Sequence, residues 1–394
     1  MPLRLTTNAA QMRKCFFLLV MLSMVFFAYD KYNIKIAIFL LFVFANMGII
    51  LTKITDIGRY GMLIFMITVY PVFTVVVSTI MSDGNITNAI RAEYINLFLL
   101  LVFIIEGYQI DAQRVLFCAL SVLVITILLI AGLDFLGIVD LYANPITRLT
   151  YSLMEGQITK SRYAIFYYVI FFNASPLLLF HFTYSLYKKK YLWTVLSFLA
   201  ILFTGTRANI YIVIAIIPAY IFLITKNKSK KVLLAIICVA IAVMGFGYMY
   251  EKIQVINYAK SSGDLIRANG VESLINCLNE EPFYWLFGMG HGTSYFSTGR
   301  MAFVNTSELS YLEMIRTVGI TGTLPFLLFL FYPVKKIFWS KYRWILLPYG
   351  ALLATSIVDP FLHTSTSFIM YAIVYSTYYR VCSENSGKVK VAYG

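Results

Sequence analysis

Glu308 follows three residues that cap helices well, Asn305, Thr306 and Ser307, and it opens a long apolar run. A carboxylate there can accept a proton in catalysis, or simply answer the positive end of the helix dipole. At helical spacing it shares a face with Leu312, Ile315 and Gly319, with Arg316 close by. Gly319 would let a neighbouring helix approach closely. Glu313 and Arg316 are spaced to pair with each other, which leaves Glu308 free. Asp359 and His363, four apart at the end of another apolar run, can face the same space. His291 stands in Gly-Met-Gly-His-Gly, whose glycines permit positive φ and close approach to a ligand; a solvated loop histidine is the plainer reading. Arg207 stands in Thr-Gly-Thr-Arg-Ala-Asn between two apolar runs. It can grip a phosphate bidentately beside two hydroxyls and a helix N-terminus, or snorkel to the membrane surface. Arg162 begins a run carrying Asn173 and Pro176, which suggest a polar interior at that depth; alone it also reads as a helix-end anchor.

The elements that must position these groups are greasy. The chain is 60% hydrophobic and only 13% charged, where a soluble domain carries about 25% charged residues. That is an all-α polytopic membrane protein. A helix needs about 20 apolar residues to cross the hydrocarbon core. Windows of that size place spans near 14–29, 34–52, 60–80, 90–106, 114–133, 162–183, 191–205, 208–225, 232–250, 308–333, 344–362 and 365–380. The first apolar run lacks a small-residue cleavage site and reads as a retained span, not a cleaved leader.

A net charge of +14 invites a nucleic-acid reading, but the positions of the charges reject it. With both termini cytoplasmic, Arg13-Lys14, Lys188 to Lys190, Lys226 to Lys231, Lys335-Lys336 and Lys341 to Arg343 all fall in inward connections, the positive-inside pattern. Two larger loops then face outward, 134–161 and 251–307, within one membrane domain covering 1–394. No phosphate-cradling Gly-Lys-Ser/Thr loop exists, so the chain by itself does not drive transport with ATP. No cysteine–histidine pattern calls for a metal, and no cofactor is implied.

Thr-Gly-Thr-Arg-Ala-Asn after a span, a long outer loop, a Gly-x-Gly turn and the helix start Asn-Thr-Ser-Glu-Leu-Ser-Tyr-Leu-Glu-Met-Ile-Arg-Thr-Val-Gly together resemble the Wzy-type O-antigen polymerases and their O-antigen ligase relatives. The architecture matches over the whole chain, while the motifs are confined to about 200–320 plus Arg162. Ligases of this superfamily carry a histidine where Ser307-Glu308 stand, which favours polymerase. The resemblance implies inverting glycosyl transfer at the periplasmic face of the bacterial inner membrane. The substrates would be undecaprenyl-diphosphate-linked repeat units, and the partners membrane lipid, a chain-length regulator and a flippase. It implies Arg207 and Arg162 as cations for the leaving diphosphate, Arg267 and Arg300 as positioning groups for glycan or phosphate, and Glu308, then His291, as the base. A flippase and a ligase or acyltransferase on the same face are the rival readings.

Overall fold

The computed structural model describes residues 2–27, 33–82, 86–140, 145, 159–164, 167–224 and 265–385. The expected span at 232–250, most of the loop at 134–161 and the first part of the loop at 251–307 lie outside them.

The described chain is mostly helix, and five of its helices are long and apolar enough to cross a membrane: Ile57–Met81, Ile86–Gly107, Ala112–Phe135, Arg207–Ile224 and Ser310–Phe338. A bent pair, Ile34–Ala45 with Met47–Ile54, makes a sixth if it counts as one span. Aspartates start two of these elements. Asp56 accepts from the Arg59 backbone N–H at 3.2 Å, and Asp111 from that of Arg114 at 3.2 Å. At Asn46 the chain leaves helical geometry and turns by 71°, while the Asn46 side-chain amide donates to the Phe42 carbonyl at 2.7 Å.

Ser365–Asn385 is buried along most of its length, Phe368 to Tyr375 being inaccessible to solvent. It packs against Tyr94–Leu99 and Leu100–Gly107. Its tyrosines bury apolar rings and hand their hydroxyls to backbone carbonyls: Tyr371 to Leu362 and Tyr375 to Phe329, both at 2.7 Å. A helix too polar for a lipid-facing role thus serves as a core.

Two expected spans are corrected. The stretch 162–183 is not one helix: Thr159–Ala164 and Tyr167–Phe171 form an antiparallel hairpin (β1 and β2) with Arg162 opposite Tyr168. Tyr167 to Phe171 is a run of aromatic and β-branched residues, which suits a strand. Pro176 lies in the 3₁₀ turn Ser175–Leu177, from which the helix Leu178–Tyr187 departs, so it starts that helix instead of breaking a longer one. The span expected at 344–362 stops at Thr355, and an irregular connection follows through Asp359-Pro360 to Thr364. Proline disfavours helical geometry at the residue before it.

Candidate functional site

Ser310–Phe331 consists of two helical pieces that meet at a kink at Gly319, whose φ of 65° and ψ of −176° are not helical. The break frees the carbonyls of Arg316 and Thr317 from the helix ladder. They accept instead from the backbone N–H groups of Met289 (2.6 Å) and Gly290 (3.1 Å). A Cβ on Gly319 would stand 2.2 Å from the Leu286 carbonyl oxygen. The close approach expected at Gly319 is therefore real, but its partner is the short helix Pro282–Phe287, and the kink interrupts the face expected from Glu308 to Gly319.

Arg316 fastens the same loop from the other side. Fully buried, it spends all five N–H donors: two on the Glu313 carboxylate at 2.9 and 2.7 Å, two on Thr293 and one on the Asn305 carbonyl. The expected pairing of Glu313 with Arg316 holds. The Gly-Met-Gly-His-Gly turn is pinned accordingly, with Gly290 at φ 90° and the Ser78 carbonyl 2.6 Å from where its Cβ would be. His291 follows, its backbone N–H donating to Ser78 Oγ.

Beyond the turn, Tyr295–Ser297 pairs with Ala302–Val304 as a small hairpin (β3 and β4), and Arg300 sits in its turn. Leu274 and Cys277 of the helix at 265–279 pack on Tyr295 in a satellite core that also includes Leu309 and Leu312. This packing brings Arg267, on the same helix, to Glu308. Arg267 Nε donates to Glu308 Oε2 at 2.8 Å and Arg300 Nη2 to Oε1 at 2.9 Å, while Asp359 lies 3.8 Å from Arg267. Glu308 is not free, as its spacing suggested. Nor does it belong to the first turn: the helix starts at Ser310, so Glu308 stands in the entering chain, where two arginines from elsewhere in the loop reach it.

This junction borders an open cleft of about 410 Å³, also lined by Lys35, Phe171, Asn173 and His363. Lys35 is buried and donates to Ser365 Oγ at 3.0 Å. It was not among the candidates of the sequence; its signal is an ionisable residue inside an apolar helix, Ile34–Ala45. Through Tyr94, Ile95, Pro360 and His363 the cleft shares a wall with a second one of about 280 Å³, lined by Glu93, His291 and Tyr70. There Glu93, buried, lies 3.1 Å from His291 Nε2 and accepts from Asn96 Nδ2 at 2.7 Å. Glu93 ends a helical segment that tightens into the 3₁₀ stretch Tyr94–Leu99, a local rewinding within an otherwise continuous span. Burial pushes the His363 imidazole below its usual range; Glu93 opposes that shift and His291 adds to it.

The structure therefore gathers Glu308, Arg267, Arg300, Asp359 and His363, with His291 one wall away. It does not bring Arg207 to them. Arg207 opens Arg207–Ile224, and among the described residues no part of that helix lines either cleft. Arg162 lies on strand β1, three pairs from the hairpin end where Thr159 faces Phe171 of the cleft wall, and its side chain is outside the described residues. Among the described residues no three His, Cys, Asp or Glu groups meet as a metal-ligand set.

The chain matches no family model and no curated protein.

Proposed function

We propose that this protein joins lipid-diphosphate-linked oligosaccharide repeat units at the periplasmic face of a bacterial inner membrane, as a polysaccharide polymerase. One observation carries the reading: in a chain of apolar helices, Arg267 and Arg300 converge on Glu308 at the edge of a cleft that also holds Lys35. Breaking a glycosyl–diphosphate bond leaves negative charge on the diphosphate, and fixed cations at that position lower the barrier. Glu308 keeps the two guanidiniums together, so an arriving diphosphate would trade one carboxylate for its own oxygens. Each Glu308 oxygen accepts from an arginine, and protonating the carboxylate would remove the charge that holds the two guanidiniums there. Glu308 is thus assigned to holding the cations and not to proton removal. Arg207 and Arg162 stay as candidate contacts for the lipid or glycan away from this junction.

The topology belongs to the same proposal: a multi-pass bundle with both termini inside and the loop at 251–307 outside, as the clustering of lysines and arginines suggests. Membrane lipid surrounds it, and a flippase and a chain-length regulator are the partners such a reaction needs. Deleting the gene gives the first test. Loss of a polymerase leaves surface lipid capped with single repeat units, whereas loss of a flippase or ligase leaves none. Long, laddered glycan in the deletion strain contradicts the reading.

A further inference from the structure

The second cleft carries a different set of groups from the arginine junction. Its charged and titratable lining is Tyr70, Arg91, Glu93, Tyr94, His291, Glu313 and His363. Glu313 is committed to Arg316. Tyr70 OH and His363 Nε2 are both buried, and neither has a hydrogen-bond partner. Buried polar atoms are nearly always paired, so two unpaired ones on one cleft wall point to a ligand bearing several hydroxyls.

His291 is built into the same wall as a held imidazole. With Nε2–H donating to buried Glu93, the lone pair sits on Nδ1, which has no hydrogen-bond partner among the described residues. Glu93 is itself fixed by Asn96, and the His291 backbone by Ser78. A carboxylate behind an imidazole sets its tautomer and stabilises the imidazolium formed when the other nitrogen takes a proton.

We propose that this cleft is the acceptor-sugar subsite, in which His291, oriented by Glu93, removes the proton of the attacking hydroxyl while Tyr70 and His363 bind neighbouring hydroxyls. The inference rests on the polymerase reading and adds the acceptor half of its site. In the step, the acceptor O–H bond breaks and its proton passes to His291 Nδ1. The oxygen's electron pair forms the new bond to the anomeric carbon of the donor glycan. The bond from that carbon to the diphosphate breaks, and its pair leaves on the lipid diphosphate between Arg267 and Arg300. The imidazolium then returns its proton to water. Glu93 touches no reacting atom and is a positioning residue.

The test is a steady-state assay of the full-length protein in liposomes, supplied with a lipid-diphosphate-linked repeat unit, for wild type, His291→Gln, Glu93→Gln, Tyr70→Phe and Arg267→Ala. Loss of a general base costs on the order of 100-fold or more, so His291→Gln is expected to lower kcat by that factor at an unchanged KM and to flatten the acid limb of the pH profile. Glu93→Gln is expected to lower kcat less and to shift that limb. Tyr70→Phe, which deletes one hydroxyl, is expected to raise KM and spare kcat. His291→Gln within about threefold of the wild-type kcat overturns the inference, since a base contributes far more than that. If Arg267→Ala is inactive in the same experiment, the polymerase reading survives without it. A wild-type protein that makes no polymer overturns both.

Discussion

Glu308 stands at the entry of its helix with both carboxylate oxygens engaged by arginines. Its position in Asn-Thr-Ser-Glu marks it, but its partners come from 41 and 8 residues away in sequence, which spacing cannot reveal. Glu93 and Lys35 are ionisable residues at the entries of apolar runs, and both are buried. Neither belongs to a local motif, so only the folded chain sets them beside the clefts. His363 gives a test at this scale. Burial holds its imidazole below the ordinary value of 6.5, so near and below pH 6.5 the unfolded chain binds a proton that the folded chain does not. Stability rises with pH wherever the unfolded state binds more protons, so it must fall as pH drops through that value. Thermal midpoints measured between pH 7 and pH 5 should decline in the wild type and decline less in His363→Gln. Equal declines would show that His363 stays solvated.

Among the elements, the apolar runs were legible and the breaks were not. Ala112–Phe135 and Arg207–Ile224 coincide with their expected spans, the second in spite of Pro218 in its interior, because both runs are long and continuously apolar. The run from Arg162 was misread because hydrophobicity alone does not separate a span from a hairpin, and the aromatic, β-branched run at Tyr167 to Phe171 decides for strand. Gly319 was read as a packing glycine, and it is also a break that lends two carbonyls to the loop carrying His291. Gly319→Ala should therefore act at a distance. A positive-φ residue with a side chain costs about 1–3 kcal/mol, and the contact with Leu286 adds to that. The expected result is a lower thermal midpoint together with lost chain lengthening, read from the glycan ladder of cells whose protein level matches wild type. An unaltered ladder would show that the kink does not position His291.

For the whole molecule, composition shows a helical membrane protein, and the helices long enough to span agree with it. The gathering of the site was only half legible. Loop residues Arg267, Arg300 and Glu308 share a 57-residue loop and its exit, so their meeting follows from one satellite core. Arg207 and Arg162 belong to elements whose placement depends on the bundle, and motif resemblance carried no information about that. The central claim is that the Arg267–Glu308–Arg300 junction serves transfer from a lipid diphosphate. The most direct measurement is the product ladder made by purified protein in liposomes from lipid-diphosphate-linked repeat units, comparing wild type with Arg267→Ala and Glu308→Gln. The account predicts a ladder for the wild type and single repeat units for Arg267→Ala, with Glu308→Gln strongly shortened. A full ladder from both variants, or none from the wild type, would contradict it.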